Sequence, residues 1–336
     1  MRKAELTRFG LDGISVREVA ESAPGPGEVA VRMQAASLNY HDLATALGFA
    51  NPKMPLPQVP LSDGAGEVVA LGEGVASLAV GDRVTTLFFP DWQAGRPSLP
   101  VLRRVTGETI AGALQDYLLV PASAMIPAPA NLSHIEAATL PCAALTAWRA
   151  VVTEGQVKAG HRVLIQGTGG VSLFALQFAR LLGAETFVIS SSDVKLGRAR
   201  ELGADHLINY RNEPRWGRMV REISGEGVDL VVEVGGAGTL AESLEAVRIG
   251  GHISMIGVLT GLASQISTAR IMAMNVTVRG ITVGNREQFA EMNRAIALHR
   301  LQPVIGEVFG FHDLPLALKT LQGAGHIGKL CFDFSR

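Results

Sequence analysis

The sequence predicts an α/β protein in two parts, a β-rich head and a doubly wound parallel sheet. Three observations carry this. Short strands broken by Gly and Pro fill residues 1–124. From 125 to 284 apolar strands and helices alternate regularly. A glycine-rich turn, "GTGGVS" at 167–172, joins one such strand to one such helix. The closing segment, 285–336, reads as a helix and a mixed tail that returns to the head. A chain of 336 residues is long for one core, so two domains are the natural expectation.

In the head, "EVAVRMQAAS", "GEVVALGEGV" and "VGDRVTTLFF" read as strands bounded by turn signals. Such strands suggest a partly open barrel. "SHIEAATLPCAALTAWRAVVT" then reads as helical, with Ser133 as N-cap and Glu136 three residues on, a capping-box pattern. The strands that follow are "RVLIQG", "ETFVISS", "HLINY", "VDLVVEVGG", "GHISMIGV" and "VTVRGITVG". Between them lie the helices "VSLFALQFARLLG", "VKLGRARELG", "RWGRMVREISG" and "TLAESLEAVRIG". The strands are apolar on both faces, as a sheet covered by helices on both sides requires. After Gly284 comes the helix "REQFAEMNRAIALHR", and the tail ends in a strand-like "KLCFDF".

Composition excludes several classes. Apolar residues make up 47% and charged residues 18%, with a net charge of -1. No block of like charge suggests nucleic acid or an anionic membrane. The two cysteines, Cys142 and Cys331, cannot form a disulfide framework and fit a reducing cytoplasm. No signal peptide or membrane span is expected.

A strand-to-helix turn presents backbone N–H groups and the positive helix end to a pyrophosphate. Gly167 permits the tight turn, Thr168 follows it, and Gly169 lets phosphates approach the backbone. Gly170 keeps the loop slim, Val171 starts the apolar face, and Ser172 replaces a packing glycine. The next strand decides the cofactor. An NAD site usually ends it in Asp or Glu for the ribose 2′-hydroxyl. This strand ends in Ser190, Ser191 and Ser192, with Lys195 one turn on and Tyr210 and Arg211 after the third strand. Hydroxyls and cations suit a 2′-phosphate, so NADPH is favoured over NADH. The serines also read as the N-cap region of the following helix, with Asp193 as a candidate cap.

"GTGGVS", "GADHLINY", "LSDGAGEVVALGEGV" and "VGDRV", in this order of elements, resemble the medium-chain dehydrogenase/reductase superfamily over nearly the whole chain. Within it the chain is similar to the zinc-independent NADPH quinone oxidoreductases and to an alcohol dehydrogenase-like group often labelled zinc-type. The resemblance implies a GroES-like catalytic domain (1–124 and 285–336) with a Rossmann domain (125–284). It also implies an active site in the cleft between them, and a homodimer, often joined through "VTVRGITVG".

Zinc alcohol dehydrogenases of the superfamily take metal ligands at positions that here are Asn39, Ser62 and Cys142. Only Cys142 keeps a ligand type, and one thiol does not hold a catalytic zinc. Residues 88–111, where a structural zinc lobe would lie, contain no cysteine. No metal is therefore expected, and Cys142 reads as a small buried residue.

Without a Lewis acid, hydride transfer to a quinone or an α,β-unsaturated carbonyl is the easier chemistry. Charge then spreads into an enolate or quinol, and the protein supplies donors and a proton. Asn39, Tyr40 and His41, which the resemblance puts beside the nicotinamide, are the catalytic candidates. "NYHD" also reads as a helix cap, with His41 or Asp42 structural and Tyr40 in the core. By resemblance, Asp63 supports the active-site floor, Thr146 contacts cofactor, and Lys329 lies near the cleft, where a surface lysine is the alternative. Gly235, Gly257, Val258 and Val283 sit at carboxyl ends of later strands, where such sheets bind ligands. Phe88, Phe89 and Trp92 are candidates for an apolar substrate pocket, or packing. The reading is thus an NADPH-dependent quinone or enone reductase. Its alternatives are an alcohol dehydrogenase acting on a small alcohol or aldehyde and a non-catalytic NADPH sensor.

Overall fold

Glu28–Leu38 alternates enough to line a core yet carries polar letters at its rims, and it forms one long strand, β3, at the centre of the head. The other head strands are β1 (Arg2–Leu6), β2 (Ile14–Glu18), β4 (Asp63–Leu71), β5 (Arg83–Thr86), β6 (Tyr117–Pro121), β7 (Met125–Pro127), β14 (Ile305–Gly310) and β15 (Lys329–Asp333). Six of them join β3 in one sheet, β14-β15-β3-β4-β5-β7, with β6 also on β3. β1 and β2 make a separate hairpin. Only β14 and β15 are parallel. Val31, Met33, Leu118, Phe311 and Phe332 lie in the head core. Each such side chain contributes about 1.5–3 kcal/mol by leaving water. The head helices are α1 (Tyr40–Ala46), α2 (Leu99–Leu102), α3 (His134–Ala137), α10 (Arg286–His299) and α11 (Leu314–Gln322).

The computed structural model describes residues 1–336 as two units, Met1–Leu145 with Gly284–Arg336, and Thr146–Val283. The boundary therefore lies later than the rhythm of the sequence suggests. Residues 125–145 belong to the head, because β7 completes the ladder beside β5. Gly284 also falls in the head. The helical stretch from His134 to Glu154 is real but not uniform. It widens into π turns at Leu140–Ala144 and Arg149–Glu154, on either side of α4 (Leu145–Trp148).

The second unit holds β8 (Arg162–Gln166), α5 (Gly170–Leu181), β9 (Glu185–Ser190), α6 (Asp193–Glu201), β10 (His206–Asn209) and α7 (Trp216–Ser224). It continues with β11 (Val228–Glu233), α8 (Leu240–Ala246), β12 (Val247–Met255), α9 (Thr268–Ala273) and β13 (Thr277–Gly280). All six strands are parallel, in the order β10-β9-β8-β11-β12-β13. The order reverses between β8 and β11, which is where such sheets take ligands. Leu164, Phe187, Ile189, Val231 and Ile253 pack one side, with Trp216 and Val220 from α7.

Two elements differ from their sequence pattern. "TLAESLEAVRIG" leaves the helix at Ala246, because Val247 already pairs with Val228, with a register shift before Leu230. "VGDRVTTLFF" stops as a strand at Thr86. The carbonyls of Leu87 and Phe88 instead accept from the Thr106 hydroxyl (2.7 Å) and amide (3.1 Å). No helix is long and apolar enough to cross a membrane.

Candidate functional site

In the head, the end of β3, the start of β4 and the start of β15 bring polar groups together. β15 pairs with β3 so that Leu330 faces Leu38, which sets Lys329 beside Asn39. Lys329 is only 3% exposed. Its ammonium donates to the Leu38 carbonyl at 2.7 Å and to Asn39 Oδ1 at 2.5 Å. It stands 3.8 Å from Asp63 Oδ2. Asp63 is wholly buried and accepts from Ser62 Oγ (2.9 Å), Ser37 Oγ (3.2 Å) and the Cys142 amide (3.3 Å). Burial pushes its pKa up, while the Lys329 charge pulls it down. The surface-lysine alternative for Lys329 is thus wrong, since a free ammonium chain could not be buried unless fully bonded.

Asn39 does not offer a free amide. Its Nδ2 donates to Ser62 Oγ at 3.2 Å, and its oxygen is taken by Lys329. It holds the N-cap position of α1, and its backbone N–H donates to Asp42 Oδ2 at 2.8 Å. Tyr40 is 49% exposed and is not core. His41 Nε2 meets Glu108 Oε2 at 2.9 Å, and its ring lies edge-on to Phe88. Burial alone would favour the neutral ring, but the Glu108 bond with the Asp42, Glu108 and Asp63 charges raises the His41 pKa. Asp42 accepts from the Ser62 amide at 3.0 Å, and burial lifts its pKa to about 6. Leu61, next to this cluster, holds a left-handed backbone at φ 73°, a strained conformation of the kind that gathers at functional sites. Phe88, Phe89 and Trp92 are buried and pack on one another edge to face.

The zinc positions of the resembled enzymes fall on this cluster. Asn39 and Ser62 offer a neutral oxygen or nitrogen that is already bonded, Cys142 one thiol, and an ammonium already sits against Asn39. No three His, Cys, Asp or Glu side chains converge anywhere in the chain in a way that could hold a metal. Zinc does not fit this donor set.

In the second unit, Gly167 takes φ 74° and Gly169 leads into α5. A Cβ on Gly169 would meet nothing, so the turn is open where a phosphate would lie. Thr168 is buried, and Gly170 and Val171 begin the helix. Ser172 does more than replace a small residue. Its hydroxyl donates to the Gln166 carbonyl at 2.6 Å and ties the helix back to its strand. Ser190 is buried in β9, and its carbonyl accepts from the Tyr210 amide at 3.1 Å. Ser191 and Ser192 are half-buried, as is Lys195. Ser192, not Asp193, holds the N-cap position of α6, and Asp193 Oδ1 instead accepts from Asn209 at 2.8 Å. Lys195 lies in the first turn of α6 and Arg211 two residues after β10, and burial and then the Arg211 charge lower the Lys195 pKa. Tyr210 is exposed there.

Gly235 and Gly257 follow β11 and β12. A Cβ on Gly257 would lie 2.1 Å from the Val234 carbonyl, so only glycine fits. Val258 is exposed, Thr146 is buried, and Val283 is buried with a left-handed φ of 48° that a β-branched residue rarely takes. The sequence reading missed Gln166 and Glu233, which lie between these segments. A signal existed: each is a lone long polar letter at the end of an apolar strand.

Family models match both parts: an alcohol dehydrogenase GroES-like domain over residues 25–130 and a zinc-binding dehydrogenase domain over 170–297. A zinc-type alcohol dehydrogenase-like protein of Schizosaccharomyces pombe is 43% identical, over 91% of this chain and 90% of its own. A solved NAD-dependent alcohol dehydrogenase superposes with TM-score 0.91 at 33% identity, covering 99% of each chain. The cobalt- and zinc-bound alcohol dehydrogenase of Pyrobaculum aerophilum superposes with TM-score 0.86 at 28% identity, covering 99% of each chain.

Proposed function

Because the chain belongs to the medium-chain dehydrogenase/reductase superfamily of oxidoreductases, we propose that it is an NADPH-dependent reductase of quinones or α,β-unsaturated carbonyls that works without zinc. The observation that carries this is the Asn39–Lys329–Asp63 cluster, where a buried ammonium occupies the polar centre that a metal would need. Acceptors whose charge delocalises need only hydrogen-bond donors and a proton, not a Lewis acid.

The bound reduced nicotinamide supplies the hydride. The open turn of Gly167, Thr168, Gly169, Gly170 and Val171 would hold the pyrophosphate. Ser191, Ser192, Lys195, Tyr210 and Arg211 would hold the 2′-phosphate. Ser190 acts there through its backbone, because its side chain is buried. Thr146, Gly235, Gly257, Val258 and Val283 would border the rest of the dinucleotide. Lys329, assigned to the cofactor by resemblance, is read here as the charge that holds Asn39 and Asp63. Tyr40 is the proton donor in this reading, since the residue is half exposed while Asn39 and His41 are bonded within the head.

The decisive experiment mixes the protein with NADPH and a panel of quinones and enones and follows absorbance at 340 nm. Turnover above background is expected, and none across the panel would sink the reading. The names of the relatives favour a second reading, a zinc-dependent alcohol dehydrogenase using NAD(P). Metal analysis of fresh protein separates the two, since one zinc per chain supports only the second.

The same reading takes β13 as a homodimer strand. Its four residues are exposed, and its only strand partner is β12, so one edge is open to pairing. Sedimentation should give a dimer, and a monomer at micromolar concentration would contradict it.

A further inference from the structure

Glu233 ends β11 and is completely buried. A buried carboxylate normally carries a cation partner, because its desolvation is costly. Glu233 has five neutral donors instead. Oε1 accepts from the Gly235 amide (2.9 Å), the Gly236 amide (2.9 Å) and the Thr239 hydroxyl (2.6 Å). Oε2 accepts from Gln166 Nε2 at 2.6 Å and from the Ser243 hydroxyl. Gln166 Nε2 donates to Glu233 Oε2 and also to the Ser243 hydroxyl (2.8 Å), whose own proton goes to Glu233, so Gln166 must present Oε1 to the Val234 amide (3.2 Å) and the Gly235 amide (3.1 Å). The Gln166 backbone carbonyl meanwhile accepts the Ser172 hydroxyl at 2.6 Å. One carboxylate thus sets the amide orientation that joins the glycine turn after β8 to the glycine loop after β11. Those are the two strands between which the sheet order reverses.

We propose that Glu233 is a positioning residue for the dinucleotide, acting through Gln166 to hold the 167–172 turn and the 234–236 loop in one geometry. This rests on the reading of that turn as the pyrophosphate site. The chemistry makes the claim specific. In Glu233→Gln, an NH2 group replaces the Oε2 acceptor and faces the Gln166 NH2. Gln166 must then flip, turning donors toward the Val234 and Gly235 amides. The swapped pair Gln166→Glu/Glu233→Gln restores a donor opposite an acceptor at every contact.

The test measures dissociation constants of NADPH, NADH and adenosine 2′-monophosphate by calorimetry. The last ligand carries the 2′-phosphate but no pyrophosphate. Glu233→Gln should weaken NADPH about tenfold or more and leave adenosine 2′-monophosphate within about twofold. The swapped pair should recover NADPH to within about threefold of the parent. Equal weakening of both ligands, no weakening of NADPH, or no recovery in the swap would each overturn the proposal. If Glu233→Gln does not fold, Thr239→Val removes a single donor and carries the same comparison, with a loss of about threefold expected for NADPH alone. A parent protein that binds neither NADPH nor NADH would instead overturn the underlying dinucleotide reading.

Discussion

The Lys329 ammonium donates to the Asn39 amide oxygen at 2.5 Å, joining residues 290 positions apart in the chain. The contact is buried, and the Asp63 carboxylate lies 3.8 Å from the same nitrogen. Lys329→Met removes the buried cation that stands against Asp63. Breaking a buried pair from one side costs about 3–5 kcal/mol. Urea denaturation of Lys329→Met should show a loss of that order, and adding Asp63→Asn should recover part of it. A loss under about 1 kcal/mol would show that the pair is not holding the cluster.

Lys195 and Arg211 should decide between cofactors. Each is expected to add a charge-assisted bond to a 2′-phosphate, so Lys195→Ala should weaken NADPH about tenfold and leave NADH unchanged. The Lys195→Ala/Arg211→Ala pair should abolish the preference. Unchanged NADPH affinity in Lys195→Ala would remove the assignment.

His41 gives a pH-dependent contribution to stability. Its pKa is raised in the folded chain above the ordinary 6.5, chiefly through the Glu108 bond working against burial. The stabilisation is therefore complete below about pH 6.5 and is lost as pH rises through the folded value. Glu108 stays ionised over this range, since the His41 bond lowers its pKa despite partial burial. The melting temperature of the parent should exceed that of Glu108→Gln by more at pH 6 than at pH 8.5. A gap that is constant with pH would mean that His41 does not titrate in this window.

Gly257→Ala probes the approach of the β12 loop to β11. The new methyl would lie 2.1 Å from the Val234 carbonyl, so backbone must move. A loss of about 1–3 kcal/mol is expected, with weaker cofactor binding as well. Gly169→Ala, whose methyl meets nothing in the protein, should keep its stability and lose affinity only. If Gly169→Ala binds NADPH as the parent does, the turn is not the pyrophosphate site.

What could be read from the letters follows from the range of each interaction. The strand–turn–helix of 162–181 is local, so its apolar run and glycines suffice to place it. Gln166 and Glu233 are different, because their meaning lies in a contact across 67 positions. The Asn39 side chain could not be read at all, since its partners are Ser62, just before β4, and Lys329 in β15. The unit boundary was misplaced for a related reason. A helical pattern running through 134–154 gives no sign that the chain up to Leu145 stays with the head, where Met125–Pro127 pairs with β5.

The place of β15 sets an order of assembly. This strand lies inside the head sheet, between β14 and β3, yet it is translated after all of Thr146–Val283. On a ribosome the second unit can therefore close while the head, begun earlier, still waits for the strand that pairs with β3 and carries its buried ammonium. A nascent chain would acquire a folded α/β unit first and the Asn39–Asp63 cluster last, so a stalled or clipped product should retain at most the former.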